Sequence, residues 1–281
     1  EEILNFSNLN EQTFSIIRND EMYNNLKKNL IHDKFVKFKK NRNYKKIIKE
    51  NYNLIINCDL NNQITKKFFS KTIKKNYYSY AYTTIIIHKK LIKNDTASQI
   101  FTKNGPIAFL PISKTQTSVV YSLKTKFSKN MDDIKRLIYK FNPNYDIIKI
   151  GTISKVGLNS SNLRNYYKDN ILAFGDLLHK VHPLAGQGFN MSLRDISCLS
   201  KLIDEKLDLG LDLDTTICHN FEKEMRDKNL IFSTGIDWIY QFFYFEGKTN
   251  NEIISKSLNI LGKNKFFNSL FKKFADNGLS L

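Results

Sequence analysis

The residue types able to do chemistry are concentrated in one stretch, GDLLHKVHPLAGQGFN, from Gly175 to Asn190. It lies between an apolar strand candidate, Ile171–Phe174, and a helix pattern that carries Met191, Ile196, Leu199 and Ile203 on one face. In open α/β sheets ligands sit in the crevice beyond the strand C-termini. Asp176 would there offer its carboxylate to a sugar or polyol hydroxyl, although Gly175-Asp176 by itself is ordinary turn chemistry. Gly186 and Gly188 allow the backbone to approach a flat ring. The amides of Gly188, Phe189 and Asn190 open the helix, whose positive end suits an anion or an electron-rich carbonyl edge. His179 and His182 lack a third and fourth partner for a metal, and His219 has only Cys218 beside it, so no metal site is expected. No serine sits on a G-x-S-x-G elbow, and no side chain is singled out as catalytic.

The flanking sequence supplies the elements that must hold this stretch. Asn19 and Asp20 precede Met22, Leu26 and Leu30 at near-helical spacing, and the basic run Lys37–Lys49 reads as an exposed hairpin or loop. Tyr52–Cys58 suits a buried parallel strand with Asp59 at its C-terminal end, where the carboxylate either binds a ligand or caps the next turn. From Tyr77 to about Thr152 the pattern becomes that of an antiparallel sheet, with strands at Tyr82–His88, Ile107–Ile112 after a Gly105-Pro106 turn, Ser118–Leu123 and Ile147–Ile153. One helix interrupts it, with Ile134, Leu137, Ile138 and Phe141 on one face and Asp132 and Asp133 in its first turn. After Tyr167 the α/β character returns, and the remainder is helical. The aromatic run Trp238–Phe245 is expected to pack in a core or domain interface rather than line a channel. Lys263–Phe274 is an amphipathic helix candidate that packs on the domain or lies on an anionic membrane surface.

A chain of 281 residues with 41% hydrophobic content can bury a proper core and is expected to fold as a soluble globular protein. Cys58, Cys198 and Cys218 are too few and too scattered for a disulfide framework, which fits a reducing cytoplasm. No apolar run approaches the roughly 20 residues of a spanning helix. The net charge of +17 comes almost wholly from lysine in a chain also rich in Asn and Ile, a pattern that codon bias produces without selection for a partner. No basic segment interleaves aromatics as base stacking requires, so no nucleic-acid partner is expected.

The pattern GD-x-x-H-x-x-x-P-x-x-G-Q-G-x-N, followed by a helix with Asp195, resembles the flavin-contacting signature of the FAD-dependent aromatic hydroxylases, in its ubiquinone-biosynthesis version HPLAGQGFN. Phe101–Pro111 resembles that group's F-x-x-x-GP-x-A-x-LP stretch in the substrate domain. Thr234–Asp237, with the Ala275–Leu279 ending, resembles its C-terminal helices. The resemblance implies an α/β chain: an incomplete FAD-binding Rossmann-like domain with an inserted antiparallel β-sheet substrate domain and C-terminal helices. The expected division is 1–75 and 166–281 for the FAD-binding parts and 76–165 for the substrate sheet.

By the same resemblance, Asp176 binds the FAD ribityl chain and Pro183, Gly186, Gln187, Gly188 and Asn190 line the isoalloxazine, with Gly175 and Phe189 as further cofactor-binding residues. Arg18 and Asp59 are further cofactor-binding candidates, and Pro106, Leu110 and Pro111 are substrate-binding candidates. The implied reaction uses NAD(P)H and O2 to hydroxylate a prenylated phenol, with the membrane surface and other ubiquinone-biosynthesis enzymes as partners and a cytoplasmic location at the inner face of the membrane. Two departures stand out. The family's GxGxxG unit should precede everything here, so the chain reads as N-terminally truncated and without support for ADP-end binding. The family's ADG-x-x-S-x-x-R segment appears as Cys58–Lys66, with Leu60 for glycine and Lys66, which lacks the planar guanidinium fork, for arginine. The alternatives left open are a flavin hydroxylase of a soluble aromatic and a non-catalytic degenerate paralogue acting as a scaffold.

Overall fold

A computed structural model describes residues 14–40, 43–127, 130–183 and 186–249. The described chain divides into two compact units, one from 44–79 with 158–249 and the other from 14–43 with 80–157. The candidate terminal helix Lys263–Phe274 and the Ala275–Leu279 ending lie outside the described residues.

The first unit is mixed α/β. Its three-stranded sheet has the order β1 (Ile55–Asn57), β9 (Ile171–Ala173), β8 (Tyr167–Lys168), with β1 parallel and β8 antiparallel to β9. All three residues of β9 are buried, as its uninterrupted apolar run requires. The expected buried strand Tyr52–Cys58 is shorter than its apolar run: β1 lies at the sheet edge and leaves Ile56 47% exposed, while Asn57 turns inward. Two helices, α5 (Gln187–Asp208) and α6 (Thr215–Thr249), pack with this sheet around Leu172, Phe174, Leu178, Leu199, Phe221 and Met225. On α5 the inward positions are Met191, Asp195 and Leu199. Ile196, expected inward, is exposed, because each helical step rotates by about 100° and Asp195 holds the core-facing position. The basic run expected as hairpin or loop instead contains a short helix, α2 (Tyr44–Lys49). A further short helix, α3 (Gln63–Phe68), is capped by Asn62, whose side chain accepts from the Thr65 N–H at 2.8 Å.

The second unit is an antiparallel sheet closed by one helix. The chain enters it along β2 (Thr72–His88) and leaves along β7 (Ser154–Leu163). Within the unit β6 (Ile147–Ile150) pairs with β2, β2 neighbours β5 (Gln116–Lys124), and β4 (Gly105–Ser113) lies between β5 and β3 (Ser98–Thr102). Helix α4 (Met131–Phe141) buries Ile134 and Ile138 against Tyr82, Ile86, Phe109 and Tyr121, matching the predicted face. Its N-cap Asn130 accepts from the Asp133 N–H at 2.8 Å, and Asp132 and Asp133 sit at the positive end of the dipole. The expected Gly105-Pro106 turn is corrected by the structure. The turn falls at Lys103-Asn104, and Gly105 and Pro106 lie inside β4, opposite Thr102 and Phe101. Gly105 has φ 137°, and a Cβ there would stand 1.9 Å from the Ser122 carbonyl oxygen, so close approach of β5 selects glycine. Helix α1 (Asn19–Ile31) forms from local signals, yet Leu26 and Leu30 of its apolar face are exposed.

Candidate functional site

The Gly175–Asn190 stretch contains a 3-10 turn at Gly175–Leu177, a two-residue strand β10 (His179–Lys180) paired antiparallel with Ser161 and Asn162 of β7, residues 181–183 without regular structure, and the start of α5. Gly186 is the N-cap of α5 and has φ 65°, the left-handed conformation that side chains disfavour. No side chain caps that helix and no acidic residue occupies its first turn, so its leading amides keep their capacity for an anion or carbonyl edge. Asp176, Pro183, Gly186, Phe189 and Asn190 are exposed, and Gln187 and Gly188 half-exposed.

The glycines distinguish backbone need from open space. A Cβ at Gly175 or Gly186 would meet no heavy atom within 4 Å, and one at Gly188 would meet only Val181 Cγ2 at 3.6 Å, an ordinary contact. Gly188 therefore has neither a positive φ nor a crowded neighbour to require glycine. Among the described residues, the space in front of it is otherwise open. The residues present thus fit a planar ring laid against the α5 N-terminus, with a hydroxylated chain within reach of Asp176.

Behind the loop lies a buried polar layer. His179 Nε2 donates to Asp195 Oδ2 at 2.5 Å, and Asn229 Nδ2 donates to Asp195 Oδ1 at 2.9 Å, tying β10 to α5 and α6. His182, fully buried immediately before Pro183, stacks on Tyr240 at 4.2 Å and meets the Tyr77 edge at 4.9 Å between ring centroids. Neither of its ring nitrogens has a hydrogen-bond partner. Burial pushes its pKa down to about 4, so the imidazole is neutral near pH 7. The Tyr77 hydroxyl donates to Asp237, which also pairs with Lys75 at 3.0 Å; burial first and the Asp237 bond second raise the phenol pKa.

Other sequence-derived candidates are placed as follows. Asp59 Oδ1 accepts the Asn61 N–H at 2.7 Å, the turn-capping alternative, while Asn57, Asn62 and Thr65 bond to one another beneath it. Arg18 belongs to the second unit, where it is exposed and pairs with Asp20 and Glu21 at the start of α1. Pro106 and Pro111 are buried in β4, and Leu110 is half-buried. The aromatic run expected to pack does so only in part. Tyr240 is buried, but Trp238 is 61% exposed, and Ile239, Phe242 and Phe245 are exposed with it. A helix with one inward face leaves the other side of any apolar run in solvent. Sequence reasoning passed over Asn229 and Ser233 and gave Asp237 and Tyr240 no part at the site, although the spacing of the four residues by four, four and three inside an apolar run was the available signal.

Residues 123–210, which include the whole loop, match the family of FAD binding domains. The described architecture is the mixed α/β fold with an antiparallel sheet seen in flavin-dependent monooxygenases. It overlays on p-nitrophenol 4-monooxygenase PnpA from Pseudomonas putida DLL-E4 with a TM-score of 0.65 at 13% identity, over 80% of this chain and 59% of that one. The Klebsiella pneumoniae HpxO structure complexed with FAD and uric acid gives 0.62 at 11% identity, over 81% and 60%. In sequence, the chain is similar to the mitochondrial ubiquinone biosynthesis monooxygenase COQ6 of Danio rerio, 24% identical over 68% of this chain and 48% of that protein. It is likewise similar to the 3-demethoxyubiquinol 3-hydroxylase of Escherichia coli K12, 23% identical over 68% and 50%. The chain thus spans about half the length of these curated relatives.

Proposed function

We propose that this chain carries the flavin-contacting part of an FAD-dependent monooxygenase that hydroxylates the ring of a prenylated phenol in ubiquinone biosynthesis. The observation that carries this reading is the α5 N-terminus: uncapped and free of acidic residues, with open space in front of Gly186 and only an ordinary contact to Val181 at Gly188 among the described residues. FAD when bound would supply the oxygen chemistry, with NAD(P)H as reductant and O2 as co-substrate. The chain's own residues bind and orient. Asp176 accepts from hydroxyls of the ribityl chain; Pro183, Gly186, Gln187, Gly188, Phe189 and Asn190 face the ring. The leading amides of α5 stabilise negative charge at the ring edge. Arg18 and Asp59, engaged in local pairs and turns, are secondary candidates for cofactor contact. On the substrate side, Leu110 is the member of the Pro106, Leu110 and Pro111 set that keeps partial exposure. The similarity to two ubiquinone-pathway enzymes favours a prenylated over a soluble phenol.

Among the described residues no helix is long and apolar enough to cross a membrane. A prenylated substrate nevertheless calls for work at the membrane surface, and we place the protein there, on the cytoplasmic side, alongside other enzymes of the pathway. The deciding experiment is FAD titration of the purified protein by fluorescence quenching, followed by NAD(P)H oxidation and product mass with prenylated and unprenylated phenols. Flavin uptake is expected to be weak in this chain, which spans about half the length of its curated relatives, and a hydroxylated prenyl product is expected from a form that also carries a GxGxxG unit. Absence of flavin uptake would refute the reading, and hydroxylation of the unprenylated phenol alone would move it to a soluble aromatic.

A further inference from the structure

The inner face of α6 carries polar groups at one helical period, and each contacts the loop, the helix that follows it, or a strand beside it. Asn229 donates to Asp195, the α5 carboxylate that also receives His179. Ser233 donates to the Asn162 side chain on β7, opposite His179 in the ladder. Asp237 accepts from Tyr77 and pairs with Lys75. Tyr240 stacks on His182, and its hydroxyl lies 3.1 Å from Ser79 Oγ. An α-helix brings positions four and seven residues apart to the same side, so these contacts form a single row along α6. The outer side of the same helix is apolar and exposed at Ile231 and Phe242. Core packing alone would be served by aliphatic residues in that row. A row of buried polar groups, each bonded to a loop flank, fixes register instead, because every partner has one geometry in which it is satisfied.

Resting on the flavin assignment above, we propose that the inner row of α6 positions the cofactor-facing loop, holding its entry through His182 and its two flanks through Asp195. Asn229, Asp237 and Tyr240 are positioning residues. They touch no cofactor atom themselves and act through His182, Tyr77 and Asp195. His182 suits this part because it has no hydrogen bond of its own to fix its ring. Its orientation depends on the two aromatic rings, and Asp237 in turn fixes one of them.

The test compares inward variants Tyr77→Phe, Asp237→Asn and Asn229→Leu with outward variants Ile231→Ala and Phe242→Ala. Three readouts are taken: thermal midpoint, FAD affinity by fluorescence quenching, and the visible spectrum of bound flavin. The inward variants should lose about tenfold in FAD affinity, the equivalent of one buried polar group left unsatisfied, and shift the flavin bands. The outward variants should bind as wild type even at matched thermal midpoints. Tyr77→Phe keeps the ring that packs on His182 and decides the matter if another inward variant does not fold. Inward variants that bind FAD with wild-type affinity and an unshifted spectrum would overturn the positioning role, as would equal losses on both faces. A wild type that takes up no flavin would overturn both this role and the flavin assignment.

Discussion

Both units bury histidine, and His88 and His182 live differently. His88, in the antiparallel unit, has Nε2 at 3.0 Å from Thr117 Oγ1 and its ring stacked on Tyr145 at 4.6 Å. His182, in the α/β unit, has aromatic neighbours and no hydrogen bond. Burial lowers the pKa of both, mainly by desolvating the charged form. The surroundings extend the contrast. The antiparallel unit is built around Ile86, Ile107, Phe109, Val119 and Leu123, all essentially sealed. The α/β unit buries Asn57, His179, Asp195, Asn229 and Ser233 beside its aliphatic core. An apolar core stabilises a sheet without specifying what lies outside it, whereas a hydrogen-bonded polar layer costs desolvation and fixes geometry. The antiparallel unit also buries polar groups, among them the His88–Thr117 pair, but the layer that ties a strand to two helices through His179, Asp195 and Asn229 lies in the unit that presents the loop.

This contrast can be broken at four points. The largest effect is expected in the aliphatic unit: Phe109→Ala should cost about 3–5 kcal/mol by cavity formation, read by chemical denaturation. A loss under 1 kcal/mol would show that this core is loosely packed. Next is the pH dependence of His182. With its folded pKa depressed to about 4, the unfolded chain binds more protons between that value and its own of roughly 6.5, so stability rises with pH across this window. On acidification the protein should lose roughly 3 kcal/mol from this group, and His182→Gln should flatten that part of the profile. An unchanged slope in the variant would remove the buried neutral imidazole. Gly186→Ala, forced into a left-handed conformation, should cost about 1–2 kcal/mol in thermal unfolding. The smallest and most discriminating effect is at Gly188. Gly188→Ala should leave the flavin-free protein as stable or up to about 0.5 kcal/mol more so, through helix propensity, while weakening FAD binding several-fold. Unchanged FAD affinity would mean that the open space there is not used by the ring.

Much of the loop's surrounding structure was legible from residue order alone. The buried run at Ile171–Ala173, the start of a helix within a residue of Gly188, and the α4 face of Ile134 and Ile138 are local signals: a continuous apolar stretch, a glycine before a helical period, an acidic first turn. Gly105-Pro106 was misplaced because turn statistics cannot see a neighbouring strand, and the Ser122 carbonyl on β5 is what demands glycine inside β4. Ile56 was misjudged because an apolar run does not tell an edge strand from a central one. Ile196 and Asp195 exchanged roles because a buried carboxylate needs donors from elsewhere, here His179 and Asn229, which periodicity does not reveal. Trp238 was assigned to packing because hydrophobicity states what a side chain favours, not whether a surface is there to receive it.

The sequence by itself determined the chemistry of the loop: two glycines, a carboxylate at a strand end, and a helix opening without acidic residues, all of which act through their own backbone and near neighbours. Only the tertiary structure decided which polar groups stand behind that loop. Asn229, Asp237 and Tyr240 lie tens of residues from His179 and His182 along the chain, and they meet because α6 folds back over β10 and the first part of β2. Short-range preferences are written in neighbouring residues, while a buried hydrogen bond between distant ones exists only once the core that excludes water has formed.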